Sequence, residues 1–118
     1  MIKLKRVYER PSRADGRRML VERLRPRGLR REDAAIAEWL RDLAPSDALR
    51  RWYGHDPARW SEFKRRYRAE LRTSERRELL ETLADQARRD TVTLVYAARD
   101  EERNSARVVR EELAKMGL

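Results

Sequence analysis

Hydrophobic and polar positions follow two different periods along this chain, and the period changes about a quarter of the way in. Residues 2–8 begin by alternating apolar and basic side chains, which predicts a half-buried or edge strand. Turn-forming residues at 11–16 predict a loop. A second strand is predicted over residues 17–23, around a buried Met-Leu-Val centre, and Pro26 and Gly28 close it with a turn.

From about residue 32 the spacing becomes helical and predicts two helices before the middle of the chain. The first has Asp33 as its N-cap and ends at Pro45. Its apolar stripe consists of Ile36, Trp39, Leu40 and Leu43. Ser46 or Asp47 caps a short second helix, which ends near Gly54.

Two longer helices are predicted next. Asp56 followed by Pro57 is a strong helix start, because an N-cap acceptor precedes proline at the first helical position. The third helix places Trp60, Phe63, Tyr67 and Leu71 on one stripe. Such an aromatic stripe usually lies in a core, and the wall of a binding cleft is the alternative. A fourth helix follows Thr73 and extends to about Arg89.

Residues 91–97 form the clearest predicted strand, because they are almost all apolar or β-branched. This composition is typical of a central parallel strand covered on both faces. A charged turn at 99–102 leads into a last helix that ends near Gly117. The alternation predicts an α/β fold, a small, helix-rich three-layer sandwich with a short, mostly parallel sheet, and one domain over residues 1–118.

Charge is distributed unevenly and narrows the choice of ligand. The net charge is +9, with 12 Lys and Arg against three acidic residues within residues 1–31 and equal numbers of each sign thereafter. Concentrated positive charge attracts phosphates, carboxylates and nucleic acid. Arginine outnumbers lysine 26 to 4, which suits either an arginine-biased genome or bidentate anion recognition.

Composition argues against several kinds of site. The absence of cysteine excludes disulfides and thiolate chemistry, and with a single histidine no metal site is predicted. No glycine-rich phosphate loop or dinucleotide fingerprint occurs, so no cofactor is predicted. Without a signal-peptide pattern or a membrane-length apolar run, we expect a cytoplasmic protein with no membrane contact. The oligomeric state is left open.

Arg23, Arg25 and Arg27 leave the end of the second predicted strand at every second position. In open α/β sheets, ligands bind beyond the carboxyl ends of the strands. If the second and third strands are parallel, these arginines lie beside Tyr96, Arg99 and the start of the last helix. Free N–H groups and the helix dipole favour anions there. The pattern therefore predicts a site for a small ligand that carries a phosphate or carboxylate.

The same residues allow other interpretations. The three arginines can pair with Asp100, Glu101 and Glu102 in a surface network. The basic first quarter can bind nucleic acid, although no recognition motif favours this. An accessory protein-interaction module can use exposed tryptophan. Hydrolysis or group transfer has the least support, because His55 lies where it closes a turn.

Segments spread over almost the whole chain carry a resemblance to a known family. They include residues 20–28 (Leu-Val-Glu-Arg-Leu-Arg-Pro-Arg-Gly), 54–57 (Gly-His-Asp-Pro) and 93–98 (Thr-Leu-Val-Tyr-Ala-Ala). In order and spacing they resemble the YeaO-like group of the family called domain of unknown function 488 (DUF488). The resemblance implies a compact cytoplasmic α/β domain of bacterial or archaeal type and brings no established activity. Some relatives carry a uroporphyrinogen methyltransferase label, which we do not expect here, because no glycine-rich methyl-donor site is visible.

The resemblance also bears on individual site residues. The positions that match the group's pattern are Arg23, Arg27, Tyr96 and Asn104. Three positions depart from it: Glu22 replaces an aspartate, Arg25 a tryptophan and Ser105 a histidine. If that histidine is functional in relatives, serine removes a group that titrates near neutral pH, so whether the chain is an enzyme is left open and the prediction leans towards no activity. Arg25 is either a change in specificity or simply surface charge.

Overall fold

Four parallel strands form one short sheet at the centre of the protein. A computed structural model describes residues 1–118, apart from the side chain of Arg31. The strands are β1 (Ile2–Arg6), β2 (Arg17–Leu20), β3 (Glu38–Trp39) and β4 (Val92–Tyr96). Their order is β1-β4-β2-β3, and every neighbouring pair is parallel.

Strand β4 lies between β1 and β2, as its composition predicted. All five of its residues are buried. This burial on both faces explains why the strand consists of apolar and β-branched residues without alternation. The entry to β2 passes very close to the start of β4, at Gly16. A Cβ atom on Gly16 would lie 2.1 Å from the Thr91 carbonyl oxygen, and its φ of +61° also favours glycine. The loop before β2 therefore needs glycine at this position.

Five helices accompany the sheet, and their bounds are α1 (Arg31–Ala34), α2 (Asp47–Tyr53), α3 (Trp60–Leu71), α4 (Ser74–Arg89) and α5 (Ser105–Lys115). Short 3₁₀ turns lie at Arg13–Asp15, Arg41–Leu43 and Pro57–Arg59. Ser46 caps α2 through its side chain, and Asp56 with Pro57 starts the 3₁₀ turn that leads into α3. These starts agree with the capping residues in the sequence. No described helix is long and apolar enough to cross a membrane.

The four longer helices bury their apolar stripes in one cluster against one face of the sheet. From α3 this cluster includes Phe63, Tyr67 and Leu71, which confirms that the aromatic stripe belongs to the core. The Tyr67 hydroxyl donates to the Leu43 carbonyl at 2.6 Å, so this buried phenol is satisfied. The main core thus joins the helices to Met19 of β2 and Leu94 of β4.

A smaller apolar cluster covers the opposite face of the sheet. Its buried members are Val7, Leu20, Ala34 and Val95. Ala34 belongs to the short helix α1, so this third layer consists of α1 and the coil around it. The predicted small α/β fold with a short parallel sheet is confirmed, with layers of unequal thickness.

The helix predicted from residue 33 to the Pro45 boundary is wrong. The chain leaves α1 at Ala35, whose φ is +51°, and then pairs with β2 as strand β3. The Ala37 and Leu40 amides donate to β2 carbonyls, both at 2.8 Å, and these bonds replace helical ones. Asp33 lies in the first turn of α1, so it does not cap a helix.

Candidate functional site

A cavity of about 730 Å³, which we call the strand-end cavity, opens beyond the carboxyl ends of β2 and β4. The chain that follows β2 supplies one wall through residues 22–27, and Ala97 and Ala98 after β4 supply another. The Val21 amide donates to the Val95 carbonyl at 3.1 Å, so the two strand ends are joined where the cavity begins. This is the edge at which parallel α/β sheets place ligands.

Arg23 lines the cavity but is held by the protein itself. Its Nε donates to the Pro45 carbonyl at 3.2 Å, and its Nη2 lies 3.4 Å from the Ala44 carbonyl. These bonds clamp the segment after β2 to the coil before α2. Part of the hydrogen-bonding capacity of Arg23 is therefore used for structure.

Arg25 and Arg27 line the same cavity and are exposed. Neither guanidinium group makes a hydrogen bond or an ion pair with another described residue. The turn that carries them is fixed from outside, because the Tyr8 hydroxyl donates to the Arg27 carbonyl at 3.0 Å. Two unpaired guanidinium groups thus stand on an ordered turn at the cavity.

Helix α2 adds two arginines that the sequence analysis missed, Arg50 and Arg51. Both pair with Asp47, at 2.7 Å and 3.0 Å, and the hydrogen bond from Arg50 is the largest influence lowering the Asp47 pKa. The Nε of Arg50 is buried without a hydrogen-bond partner among the described atoms. Arg50 and Arg51 follow Asp47 by three and four residues, which in the sequence indicates only ion pairs on the surface of a helix. No local pattern therefore predicts that they line a cavity.

Glu22 is the acidic residue of the cavity wall, and the sequence analysis did not place it in the site. Its Oε1 accepts from the Ala97 amide at 2.8 Å, and its carbonyl accepts from the Trp39 indole at 2.6 Å. Burial raises the pKa of the Glu22 carboxyl, against the opposing effects of the Ala97 bond and Arg50. The carboxyl group is therefore fixed in place and costly to ionise.

Asn104 and Ser105 bring the start of α5 to the cavity. The Asn104 side chain is buried and caps the helix, because its Oδ1 accepts from the Arg107 amide at 3.0 Å. Its Nδ2 donates to the Asp100 carbonyl, also at 3.0 Å. Ser105 is the first helical residue, where the positive end of the dipole favours an anion.

Two of the six predicted contacts, Tyr96 and Arg99, do not line this cavity. Tyr96 is buried in the main core, and burial is the largest influence raising the pKa of its phenol. The structure thus gathers four predicted residues at one place: Arg23, Arg25, Arg27 and Asn104. The proposed surface network is not formed between described side chains, because Asp100 pairs instead with Arg103 at 3.2 Å.

The other residues considered for function are His55 and the tryptophans. His55 is exposed at the cavity with a φ of +56°, where it follows the end of α2. Trp52 is partly buried and lies beside Arg59 and Arg66, at 5.2 and 4.2 Å from their guanidinium carbons. Among the described side chains, no cluster of three or more His, Cys, Asp or Glu residues could hold a metal ion.

Comparison with known proteins decides the family. A family model described as the inactive DUF488-N3 subclade matches residues 1–116. The chain belongs to this DUF488 subclade. An uncharacterised protein of Mycobacterium tuberculosis is 40% identical over 112 residues, which are 95% of this chain and 92% of the relative. YeaO of Escherichia coli is 36% identical over 115 residues, which are 98% of each chain. No solved structure is significantly similar.

The predicted YeaO-like DUF488 membership is therefore confirmed. The three positions that depart from the expected DUF488 pattern, Glu22, Arg25 and Ser105, all line the strand-end cavity. They are separated by up to about 80 residues in sequence and meet only in the fold.

Proposed function

We propose that this DUF488 protein binds a small ligand through a phosphate or carboxylate group in the strand-end cavity. The observation that carries the proposal is the pair of unpaired guanidinium groups, on Arg25 and Arg27, at the cavity. A guanidinium group presents planar donors that match phosphate and carboxylate oxygens, often two at a time. An anion placed between them gains charge-assisted hydrogen bonds without breaking an existing ion pair.

The rest of the cavity supports this assignment. Five arginines line it against one carboxylate, and positive charge remains in excess after Asp47 pairs with Arg50 and Arg51, so the local potential is positive. Ser105 adds the N-terminus of an eleven-residue helix. A volume of about 730 Å³ also falls within the range typical of small-molecule sites.

A role in binding agrees better with the family than a role in catalysis. The matching subclade is described as inactive. A protein that holds an anion without transforming it needs charge and shape, and it needs no acid or base of matched pKa.

Nucleic-acid binding through the basic first quarter is supported less well, because many of those cations are used internally. Five side chains there donate to carbonyl groups of the protein: Lys3, Lys5, Arg6, Arg18 and Arg23. Lys5 and Arg18 also pair with Asp15. The number of cations free to meet a phosphate backbone is therefore smaller than the composition implies.

Thermal unfolding with added anions tests the proposed function. We expect inorganic phosphate, phosphate monoesters or dicarboxylates to raise the unfolding temperature of the wild type. A ligand at one hundred times its Kd stabilises by about 2.7 kcal/mol. The Arg25→Ala/Arg27→Ala variant should bind at least tenfold more weakly, because each charge-assisted bond contributes about 1.5–3 kcal/mol.

The matched control is Arg13→Ala/Arg17→Ala, which removes two exposed arginines that do not line the cavity. It should keep the wild-type response. Equal losses in both variants would indicate a general charge effect and contradict the proposal. The affinity for a short DNA duplex is measured as well. If the wild type binds the duplex with a steep salt dependence and both double variants bind it more weakly, nucleic-acid binding becomes the better assignment.

A further inference from the structure

Glu22 sets a requirement on the ligand that the arginines alone do not set. One carboxyl oxygen is held by the Ala97 amide at 2.8 Å, while the other has no hydrogen-bond partner among the described residues. No described arginine lies within ion-pair distance of the group, although five line the same cavity. A fixed acceptor thus remains unused at the edge of a positive site.

A bare anion does not explain this acceptor. An ionised Glu22 repels phosphate or carboxylate, so it would weaken a site built only for charge. An acceptor that is oriented by the backbone suits a hydrogen-bond donor of the ligand instead. Burial raises the pKa of Glu22 because it disfavours the ionised carboxylate. A hydrogen bond donated by the ligand would stabilise that ionised form.

The donor is a hydroxyl group rather than an ammonium group, because the cavity is lined by five arginines and by Glu22 as its single carboxylate. The potential of these arginines opposes a second cation in the cavity, whereas it does not oppose a neutral hydroxyl. The lining also includes apolar residues of the two segments that follow the strands: Leu24, Pro26, Ala97 and Ala98. They offer apolar contact to the carbon skeleton of a ligand.

We infer that the cavity takes a hydroxylated phosphate monoester of the polyol phosphate class. Arg25 and Arg27 hold its phosphate, and Glu22 accepts a hydrogen bond from one of its hydroxyl groups. The inference rests on the proposed anion-binding function and adds the chemistry of the other end of the ligand. Glu22 is accordingly a specificity-determining residue.

Calorimetric titration with matched probes tests the inference. Ribitol 5-phosphate and pentyl phosphate have the same phosphate and chain length, and only the first carries hydroxyl groups. We expect the wild type to bind ribitol 5-phosphate at least tenfold more tightly, since a hydrogen bond to a charged group changes affinity by about that factor or more. Glu22→Gln should reduce this preference about tenfold, and it should not weaken the binding of pentyl phosphate, because it removes a negative charge from the cavity.

Glutamine keeps an acceptor for the Ala97 amide, so the variant preserves the local fold. Far-ultraviolet circular dichroism and the affinity for pentyl phosphate both report on that preservation. Equal affinities of the two probes in the wild type, or an unchanged preference in Glu22→Gln, would overturn the inference. Ethanolamine phosphate binding more tightly than ribitol 5-phosphate would also overturn it, in favour of an ammonium donor.

The two proposals fail in different ways. If both probes bind equally and both depend on Arg25 and Arg27, the anion site stands and the role of Glu22 is rejected. If neither phosphate binds the wild type, the anion site and the polyol phosphate class are both rejected.

Discussion

Charged side chains in the first quarter of the chain fall into two groups, buried ones that bond within the protein and exposed ones that do not. The Asp15 carboxylate is buried and accepts from the Ser12 amide at 3.0 Å, from Arg18 at 2.8 Å and from Lys5 at 3.1 Å. Arg18 is also buried, and its Nε donates to the Ala34 carbonyl at 2.7 Å. This network joins the loop before β2 to β1 and α1, whereas the guanidinium groups of Arg25 and Arg27 make no hydrogen bond with another described residue.

Removing the charge of Asp15 tests this structural role. At neutral pH, Asp15→Asn should lower the free energy of unfolding by about 3 kcal/mol, because Arg18 is left buried without its counter-ion. The measurement is urea denaturation. The control is Asp85→Asn, which breaks an exposed pair with Arg88 and should change stability by less than about 0.5 kcal/mol.

The pH dependence of the same variant follows from the direction of the pKa shift. Burial raises the pKa of Asp15, but hydrogen bonds from Ser12, Arg18 and Lys5 outweigh it and leave the pKa below 3.8. The contribution of Asp15 is therefore present above that pH and is lost as the pH falls through the folded-state pKa. The wild type and Asp15→Asn should converge in stability only at strongly acidic pH. A constant difference down to pH 2 would contradict this account.

Among the elements, the segment between β2 and α2 departs most from its sequence pattern. Ile36, Trp39, Leu40 and Leu43 have the spacing of one helical stripe, yet they serve two cores. Ile36 and Trp39 pack in the smaller cluster, while Leu40 and Leu43 pack against the helices. This segment runs along the edge of the sheet, so its apolar residues pack on both faces of the sheet. The helix-like spacing therefore does not correspond to a helix.

The start of α5 permits a prediction about capping. Asn104→Ala should cost about 1 kcal/mol, because the Arg107 amide loses its acceptor. Asn104→Asp keeps that acceptor and should retain more stability than the alanine variant. Thermal unfolding gives the comparison, with hydrogen exchange at the first turn of α5 as a local measurement.

The control is Thr73→Ala, since Thr73 precedes α4 without a capping hydrogen bond from its side chain. It should cost less than about 0.5 kcal/mol. If Asn104→Ala leaves both the stability and the exchange at α5 unchanged, Asn104 is not a cap of consequence. A direct role in holding the ligand would then be the better explanation of its position.

For the whole molecule, one core connects elements from both ends of the chain. The main cluster contains Ile2 of β1 together with Leu113 of α5, and strand β4 links them. Such connectivity favours a single cooperative unit, and the single domain over residues 1–118 stays a prediction that unfolding experiments can test.

Core truncation tests this cooperativity. Leu83→Ala should lower the free energy of unfolding by about 3 kcal/mol and shift the near- and far-ultraviolet circular dichroism transitions together. Leu79→Ala on the same helix is the control, because Leu79 is exposed and its loss should have little effect. Two separated transitions in Leu83→Ala would show that the chain contains more than one folding unit.

Local patterns in the sequence determined the strand at residues 92–96, the three longest helices and the helix start at Asp56. They also narrowed the cap of α2 to Ser46 or Asp47, and the structure has Ser46 in that place. These features depend on periodicity and on hydrogen bonds between near neighbours, which a short window of sequence contains. The position of an arginine cluster beyond β2 also followed from local order.

Only the tertiary structure decided which residues line the cavity and which of them are already bonded within the protein. It showed that Arg23 is a clamp, that Arg25 and Arg27 are free, and that Tyr96 lies in the core. It also brought Glu22 and Arg50 to the lining of one cavity, although they are far apart in sequence and no local pattern connects them. Burial and hydrogen-bond partners depend on residues far apart in sequence, so they appear only when the chain is folded.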